Sequence, residues 1–361
     1  MKLTGNQVVW IIATSELVME VWLRISPAIE TARQDAWISM LLAGLIGVVL
    51  TFLAVRVSML HPGQTLVKYS QKLLGKWFGR AIVLPYFAAW YMLSIDVLRS
   101  FADFIHLILL DQTPVWLIEL LMVALMAYIT FTGGITSIGR FCEIAGPLTV
   151  ITMFFTFVLS KGNVDWSQLA PVFNDISWKQ VAKASAAPGS FFGETFMLLS
   201  VIAFMHKPEK AMSRSMIGLL VTILGVFAAT LMVLLVMGPN LSAEFRFPYF
   251  MIVRSINILN FIQNVDIFVI YVWVFGVFAK LSLYLFLTSY EMSNWLNIKD
   301  WRKMILFGAP LMFISAIMVP NQTWIIMFQK LWQDAIIPIC GIAVPLLLWI
   351  LSAARKKSPN M

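Results

Sequence analysis

Long apolar runs, separated by short polar connections, divide the chain into segments of membrane-spanning length. A helix needs about 20 apolar residues to cross the hydrocarbon core, and lipid tolerates only backbone whose hydrogen bonds are satisfied internally. The pattern therefore predicts an all-α polytopic membrane protein with about ten transmembrane helices. The predicted spans are 8–27, 36–57, 81–110, 114–131, 141–160, 189–205, 216–238, 265–289, 303–320 and 335–353.

Two connections are longer than turns. Basic residues occupy every fourth position of segment 61–80, at Lys68, Lys72, Lys76 and Arg80. This pattern predicts an interfacial amphipathic helix on an anionic inner leaflet, with a solvated cytoplasmic linker helix as the alternative. Segment 161–188 is mixed and polar, and we expect it to form an extracytoplasmic loop. The whole of 1–361 is interpreted as a single integral membrane domain.

Composition excludes a water-soluble protein. Hydrophobic residues make up 60% of the chain and charged residues 12%, whereas soluble domains carry about 25% charged residues. The cysteines and histidines are scattered, so we expect no metal site, no disulfide framework and no cofactor. No soluble catalytic domain remains beside the spans, which argues against an enzyme. The net charge of +8 does not require a nucleic-acid partner, because membrane proteins collect basic residues on their cytoplasmic face.

The distribution of basic residues predicts the orientation. Sixteen of the 26 lysines and arginines lie on the side that holds both termini, eight lie opposite, and Arg99 and Lys280 fall inside spans. The positive-inside bias places both termini in the cytoplasm, which requires an even number of spans. The first run carries Glu16, Glu20 and Arg24, so we expect a retained span and not a cleaved signal peptide.

Ionisable residues inside predicted spans are energetically costly and therefore mark candidate functional positions. The first span contains Glu16 and Glu20, which lie one helical turn apart and have no local partner except Arg24. One interpretation is an internal salt bridge between a glutamate of this span and Lys280 of the eighth span. The other is that one of the two glutamates carries a proton.

The third, sixth and eighth spans supply the remaining interior charges. Asp96, Arg99 and Asp103 share one face of the third span, where internal salt bridging and function are equally compatible with the spacing. We predict a proton or charge network composed of Glu16, Asp96, Arg99, Glu194 and Asp266.

Glycine, serine and proline cluster at the start of the sixth span. The run from Pro188 to Thr195 includes Gly189, Ser190 and Gly193, and it predicts an unwound backbone around Gly193 and Glu194. Broken helices expose amides and carbonyls that can hold small zwitterions near mid-membrane. The alternative is ordinary packing of glycine between helices.

Several short motifs, in this order and spacing, resemble one family. The chain is similar to the B-subunit permeases of endospore germinant receptors (GerAB-like proteins), within the amino acid–polyamine–organocation superfamily. The resemblance covers nearly the whole chain. It rests on HPGQTL at 61–66, LGKWFG at 74–79, GRFCEI at 139–144 with Pro147, FGE at 192–194, Phe247-Pro248 with Arg254, and the stretch from Trp273 to Lys280.

The resemblance implies a LeuT-type fold of two inverted five-helix repeats, with spans 1 and 6 broken at a central pocket. It implies a germinant-sensing subunit that works with an A subunit and a C-subunit lipoprotein in the spore inner membrane. The ligand would be an amino acid or similar small nutrient. Carried over, the ligand-binding positions are Glu20, Val21, Trp22, Tyr91, Ile95, Phe192, Gly193, Lys280 and Tyr284.

Two departures from the family pattern bear on the ligand. Glu20-Val21-Trp22 stands where relatives often have a Gly-x-Gly run, and segment 263–266 lacks an arginine often found there. Both changes argue against a simple alanine ligand. One arrangement that fits them is an ion pair between Glu20 and Lys280 across the pocket.

Two functions follow from these patterns. The first is a germinant receptor subunit with a transporter-like fold used as a sensor. The second is a proton-coupled amino-acid transporter in which Glu20 or Glu194 carries the proton. A channel is disfavoured because the sequence shows no charged ring or filter motif.

Overall fold

The computed structural model describes residues 1–173, 176–256, 266–319 and 322–357, apart from the side chains of Gln322, Lys356 and Lys357. Within these ranges the chain is helical, and its β-type pairing is an isolated bridge between Leu3 and Met205. The α-helices are α1 Gly5–Leu23, α2 Ile25–Ala32, α3 Ala36–Met59, α4 Leu66–Ala81, α5 Leu84–Ile108, α6 Val115–Leu159, α7 Trp178–Ala184, α8 Ala186–Phe192, α9 Leu198–Val201, α10 Ala211–Glu244, α11 Pro248–Ser255, α12 Asp266–Leu296, α13 Arg302–Ile317, α14 Gln322–Leu331 and α15 Val344–Lys357.

Six helical stretches in the described ranges are long and apolar enough to cross a membrane. A seventh qualifies if α4 and α5, which meet at a bend of 59°, form one span. These stretches are Ile25–Met59, Val115–Leu159, Trp178–Phe204, Pro208–Glu244, Asp266–Leu296 and Thr323–Arg355. The predicted count of ten stays a prediction, and the ends of the predicted spans 265–289 and 303–320 lie partly outside the described residues.

The longest helix, α6, covers both the fourth and the fifth predicted span. Its 45 residues would extend about 68 Å if straight, roughly twice the hydrocarbon thickness. Gly134 interrupts it with a φ of +56°, a conformation that costs glycine little. Before this break α6 lines a groove with α13, and after it Gly139 and Gly146 contact α1. The two halves therefore pack as two separate helices.

The two long connections have their own structure. Segment 61–80 contains α4, whose backbone turns at Gly75 with a φ of +80°, and the aromatic rings of Trp77 and Phe78 behind that turn are exposed. The interfacial location of α4 stays a prediction. In segment 161–188, whose residues 174 and 175 lie outside the described ranges, α7 packs on α3 through a hydrogen bond from Ser39 Oγ to the Val181 carbonyl (3.0 Å).

Helix α1 and segment 186–205 run antiparallel to each other, and both lie beside α12. Thr4 caps the start of α1 in a capping box with Gln7. At this end the Leu3 N–H donates to the Phe204 carbonyl (2.7 Å), and the Leu3 carbonyl accepts from His206 N–H (2.9 Å). We call this end of the bundle the N-terminal face and the end that holds α2 and α7 the opposite face.

A small residue lets α12 approach α1 closely. A methyl group added at Gly276 would lie 2.6 Å from a side-chain carbon of Val18, so only glycine fits without a shift. Lys280 follows one turn after Gly276 on the same side of α12. The close approach therefore brings its long side chain against the glutamates of α1.

Candidate functional site

Three charged residues of the first helical segment point to one place because of their spacing. Glu16, Glu20 and Arg24 are four residues apart and share one face of the helix. Helix α1 ends at Leu23, and α2 begins at Ile25. Between them, the Arg24 N–H donates to the Glu20 carbonyl (3.0 Å). All three side chains are buried, with at most 2% of their surface exposed.

Lys280 of α12 makes two ion pairs at the centre of the bundle. Its Nζ lies 2.5 Å from Oε2 of Glu194 and 3.6 Å from Oε2 of Glu16. The Tyr284 hydroxyl donates to the same oxygen of Glu194 over 2.9 Å. All four side chains are fully buried. A lysine in such a position is tolerated because opposite charges lie against it.

Beside this group lie buried charges with unsatisfied hydrogen-bonding atoms. Neither carboxylate oxygen of Glu20 or of Asp96 has a hydrogen-bond partner among the described residues, and neither do Nε and Nη2 of Arg24. The Arg24 guanidinium interacts electrostatically with Asp96 and Glu20. Its carbon lies 3.3 Å from the centre of the Phe191 ring, which covers one face of the group.

We call the set Glu16, Glu20, Arg24, Asp96, Glu194, Lys280 and Tyr284 the central cluster. Electrostatic interactions link its members across four helical segments, since Asp96 on α5 interacts with Arg24, Glu194 and Lys280. The four predicted residues Glu20, Asp96, Glu194 and Lys280 thus lie together. Their role in ligand binding stays a prediction.

The predicted ion pairs are partly different in the structure. Lys280 pairs with Glu16 and Glu194, so the proposed Glu20–Lys280 pair is wrong. Arg99 pairs with Asp103 (3.0 Å) and lies 3.9 Å from Glu119 of α6. Internal salt bridging therefore accounts for Arg99, whereas Asp96, three residues earlier, faces the central cluster instead.

Two of the carried-over positions on α1 contact other parts of the core. The indole of Trp22 packs among the rings of Phe104, Phe247 and Trp273 at centroid distances of 5.2, 5.7 and 5.7 Å. Val21 lines a small void with Tyr249 of α11 and Trp273. Trp22 therefore fills an aromatic core.

Other carried-over positions contact neighbouring helices. The Tyr91 hydroxyl is 2.7 Å from Ser315 Oγ on α13, and Ile95, one turn later, is buried on the same helix. A methyl group added at Gly47 of α3 would lie against Cβ of Phe192. One added at Gly193 would lie against the side chain of Leu50, which is also on α3.

Asp266, the last residue of the predicted charge network, begins α12 at the opposite face. Its Oδ1 accepts from the N–H of Ile267 (3.1 Å). The adjoining segment 263–265, on which the missing arginine was noted, lies outside the described residues.

Two residues of the site, Arg24 and Phe191, belonged neither to the predicted ligand-binding positions nor to the predicted charge network. Arg24 was considered only as a local partner of the glutamates, although its spacing from Glu20 places both on one face. Phe191 is one residue before the predicted Phe192. A periodicity argument cannot distinguish neighbours in a segment whose turns change type at Gly193.

A second buried carboxylate lies toward the N-terminal face. Glu291 of α12 accepts hydrogen bonds from Thr65 Oγ1 (2.9 Å) and from the N–H groups of Leu66 (3.0 Å) and Val67 (3.3 Å). Ser200 Oγ donates a further, short hydrogen bond. The carboxylate therefore caps the start of α4 and joins that helix to α9 and α12.

A cavity of about 380 Å³ opens at the opposite face. It is lined by Leu23 and Ser26, the residues on either side of Arg24 and Ile25, and by charged groups of α2 and of the end of α10. Among them are Glu30, Glu244 and Arg246, and Arg246 interacts electrostatically with Asp96 and Asp103. We call this cavity the vestibule.

The fold is that of the LeuT-type membrane proteins. It is similar to MhsT in complex with L-phenylalanine, with a TM-score of 0.63 at 12% identity over 98% of this chain and 96% of that one. It is also similar to Mhp1, a nucleobase-cation-symport-1 family transporter with bromovinylhydantoin bound, with a TM-score of 0.62 at 13% identity over 94% and 77%. At these identities the likeness shows the fold.

The chain belongs to the spore germination protein family, whose sequence model matches residues 2–325. It is 26% identical to spore germination protein YndE of Bacillus subtilis (strain 168), over 91% of this chain and 90% of that protein. It is 24% identical to spore germination protein KB of the same organism, over 71% and 69%. The predicted family and LeuT-type fold are therefore confirmed.

These similarities also bear on where the protein resides. The family is that of the spore germination proteins, and the structural neighbours are transporters. Together with the apolar helices, they identify an integral membrane protein.

Proposed function

We propose that the chain is the germinant-sensing B subunit of an endospore nutrient receptor. The observation that carries this proposal is the group Glu20, Arg24 and Asp96, buried with unsatisfied polar atoms in a member of the germination family. Unpaired buried charge destabilises a protein. A small amino-acid-like nutrient would supply the complementary groups at mid-membrane.

The site joins elements that a bound ligand could hold together. Glu20 and Arg24 belong to the first helical segment, Asp96 to α5, and Phe191 to α8. A ligand changes the equilibrium between conformations only if it binds one of them better. A nutrient bound between these elements would favour the arrangement in which they are closest, and partner subunits would respond to that arrangement.

The cellular setting is part of the proposal. The membrane would be the spore inner membrane, with both termini in the cytoplasm, and the partners an A subunit and a C-subunit lipoprotein. The names of the relatives and the excess of basic residues on one side support this setting.

Deletion of the gene in its spore-forming host tests the proposal. We expect loss of germination with at least one nutrient of a broad panel, restored by the wild-type gene and by Glu209→Gln, which changes an exposed acid outside the cluster. Glu20→Gln should fail to restore it at equal protein level. Unchanged responses to every nutrient after deletion would refute the proposal.

A proton-coupled amino-acid transporter is the second candidate. The ion pairs of Lys280 with both Glu16 and Glu194 favour it, because a buried lysine between two acids is a suitable place to exchange a proton. Purified protein in liposomes would then accumulate an amino acid when an inward proton gradient is applied. Glu20→Gln or Glu194→Gln should abolish that coupling, and uptake that ignores both the gradient and the variants would exclude this function.

A further inference from the structure

The two halves of the central cluster differ in ion pairing, and we call the half with ion pairs the satisfied half and the other the unsatisfied half. In the satisfied half, Lys280 forms ion pairs with Glu16 and Glu194, and Tyr284 donates a hydrogen bond to Glu194, although neither oxygen of Glu16 accepts a hydrogen bond from the described residues. In the unsatisfied half, Glu20 and Asp96 lie near Arg24, and no ion pair or hydrogen bond between described residues fills their oxygens. A ligand that enters the cluster therefore finds its free groups in the second half.

The free groups of this half define the chemistry of the ligand. Nε and Nη2 form one edge of the Arg24 guanidinium, and that edge is suited to a carboxylate bound through two parallel hydrogen bonds. The two free carboxylates are suited to an ammonium group, which has three donors. These partners together fit an amino acid.

The charges of the same three residues discriminate between amino acids. When both carboxylates are ionised, two of them against one guanidinium leave one excess negative charge in a buried place. A zwitterion such as alanine adds no net charge and leaves that excess unchanged. An amino acid with a second cationic group cancels it.

We propose that the unsatisfied half of the central cluster binds a basic amino acid. The carboxylate of this ligand pairs with Arg24, and its cationic groups pair with Glu20 and Asp96. The proposal rests on the proposed function and names the class of nutrient. Lysine, ornithine and arginine have the required charges, whereas neutral and acidic amino acids do not.

The vestibule, like the unsatisfied half, has more acidic than basic residues. Its described charged residues are Glu30, Glu244 and Arg246, two acids and one base. Arg246, which lines it, interacts electrostatically with Asp96 of the unsatisfied half, so the vestibule lies close to that half. A cationic ligand arriving from the opposite face would be attracted along this path.

Four probes test the proposal on the purified full chain in lipid nanodiscs by titration calorimetry. Lysine has every proposed group, norleucine lacks the side-chain ammonium, cadaverine lacks the carboxylate, and glutamate reverses the side-chain charge. We expect lysine to bind at least about tenfold more tightly than each of the other three, since each lost charged contact leaves a buried group unpaired.

Two variants connect the preference to the site. Glu20→Gln should reduce the lysine-over-norleucine ratio to below about threefold, while Glu209→Gln should keep the wild-type ratio. Norleucine binding as tight as that of lysine would overturn the inference and leave the proposed function intact. Absence of binding by all four probes would also overturn it, and the deletion phenotype would then judge the proposed function separately. The four probes are compared on the wild-type protein. That comparison decides the proposal even if Glu20→Gln folds poorly.

Discussion

Two groups of buried carboxylates in the same bundle differ in how their oxygens are satisfied. Glu291 accepts four hydrogen bonds, two of them from the backbone at the start of α4. Glu20 and Asp96 are just as deeply buried, yet they accept no hydrogen bond from the described residues. Burial alone therefore does not separate a structural acid from a functional one.

The difference indicates what each group is for. A carboxylate that accepts several hydrogen bonds connects elements permanently, and its loss leaves several buried donors unpaired. A carboxylate without such donors lacks the hydrogen bonds that would offset its desolvation, and for Glu20 and Asp96 it is mainly the charge interaction with Arg24 that opposes it. Such residues persist when another molecule or a proton completes them. On this basis Glu291 holds the fold, and Glu20 is a residue for which we propose a ligand.

The largest expected effect is the loss of stability when Lys280, which pairs with two buried acids, is replaced. Lys280→Met would leave Glu16 and Glu194 as uncompensated buried charges and destabilise the protein by about 3–5 kcal/mol. Thermal unfolding in detergent measures the change. The double variant Lys280→Met/Glu194→Gln should recover part of the loss, and equal stability of the single variant and the wild type would refute the assigned pairing.

The next effect concerns the satisfied acid. Glu291→Gln keeps the shape but replaces one acceptor oxygen by an amide NH2, which cannot accept from the serine, threonine and backbone donors around it. We expect a destabilisation of about 1–3 kcal/mol, with ligand affinity unchanged within error. A selective loss of binding at unaltered stability would invert the comparison.

The unsatisfied acid should behave in the opposite way. Glu20→Gln removes a buried charge that has no hydrogen-bond partner, so the free energy of unfolding should stay within about 1 kcal/mol of wild type or increase. Chemical denaturation in detergent checks this, beside the loss of the lysine preference described above. A destabilisation as large as that of Glu291→Gln would show that Glu20 has a structural partner.

The smallest effect is expected where a satisfied carboxylate is exposed. Asp165 in the 161–188 loop accepts from Ser167 Oγ (2.7 Å) and Ser167 N–H (2.9 Å), and these bonds lower the pKa of its carboxyl group below the usual 3.8. A lowered pKa stabilises the folded loop above pH 3.8 and loses that contribution as the pH falls through the lowered value. Asp165→Asn should therefore lose less stability than wild type on acidification. Thermal midpoints measured from pH 7 down to pH 3 test this, and parallel curves would contradict it.

Much of this organisation could be predicted from the sequence. Apolar run lengths indicated a helical membrane protein, and interior charges indicated where the bundle has a polar centre. The inward orientation of Glu20, Asp96, Glu194 and Lys280 followed from the cost of exposing any of them to lipid. That argument says that such residues face inward, but it does not say which one pairs with which.

The contacts of Trp22 and Tyr91 show what periodicity omits. Trp22 and Tyr91 lie on helices of the site, but a helix in a bundle is contacted on several sides, and spacing alone does not identify the neighbour on each. Trp22 packs on the aromatic rings around Phe104, and Tyr91 faces α13. Glu291 was not predicted because it lies two residues beyond the predicted span 265–289. An acidic residue outside a span has no membrane cost that would mark it as a candidate.

The bridge at Leu3 has a mechanical consequence. Main-chain hydrogen bonds tie the start of the first helix to the end of the segment that carries Glu194, whereas at the far end the Arg24 guanidinium rests on the Phe191 ring. The first helix and the segment that carries Glu194 are therefore hydrogen-bonded at one end and joined by a ring contact at the other. From Leu3 to Arg24 a helix measures about 30 Å, so a rotation of about 5° around the Leu3 end would move the Arg24 end by roughly 3 Å. That movement would separate the guanidinium from the Phe191 ring while the hydrogen bonds at Leu3 remain.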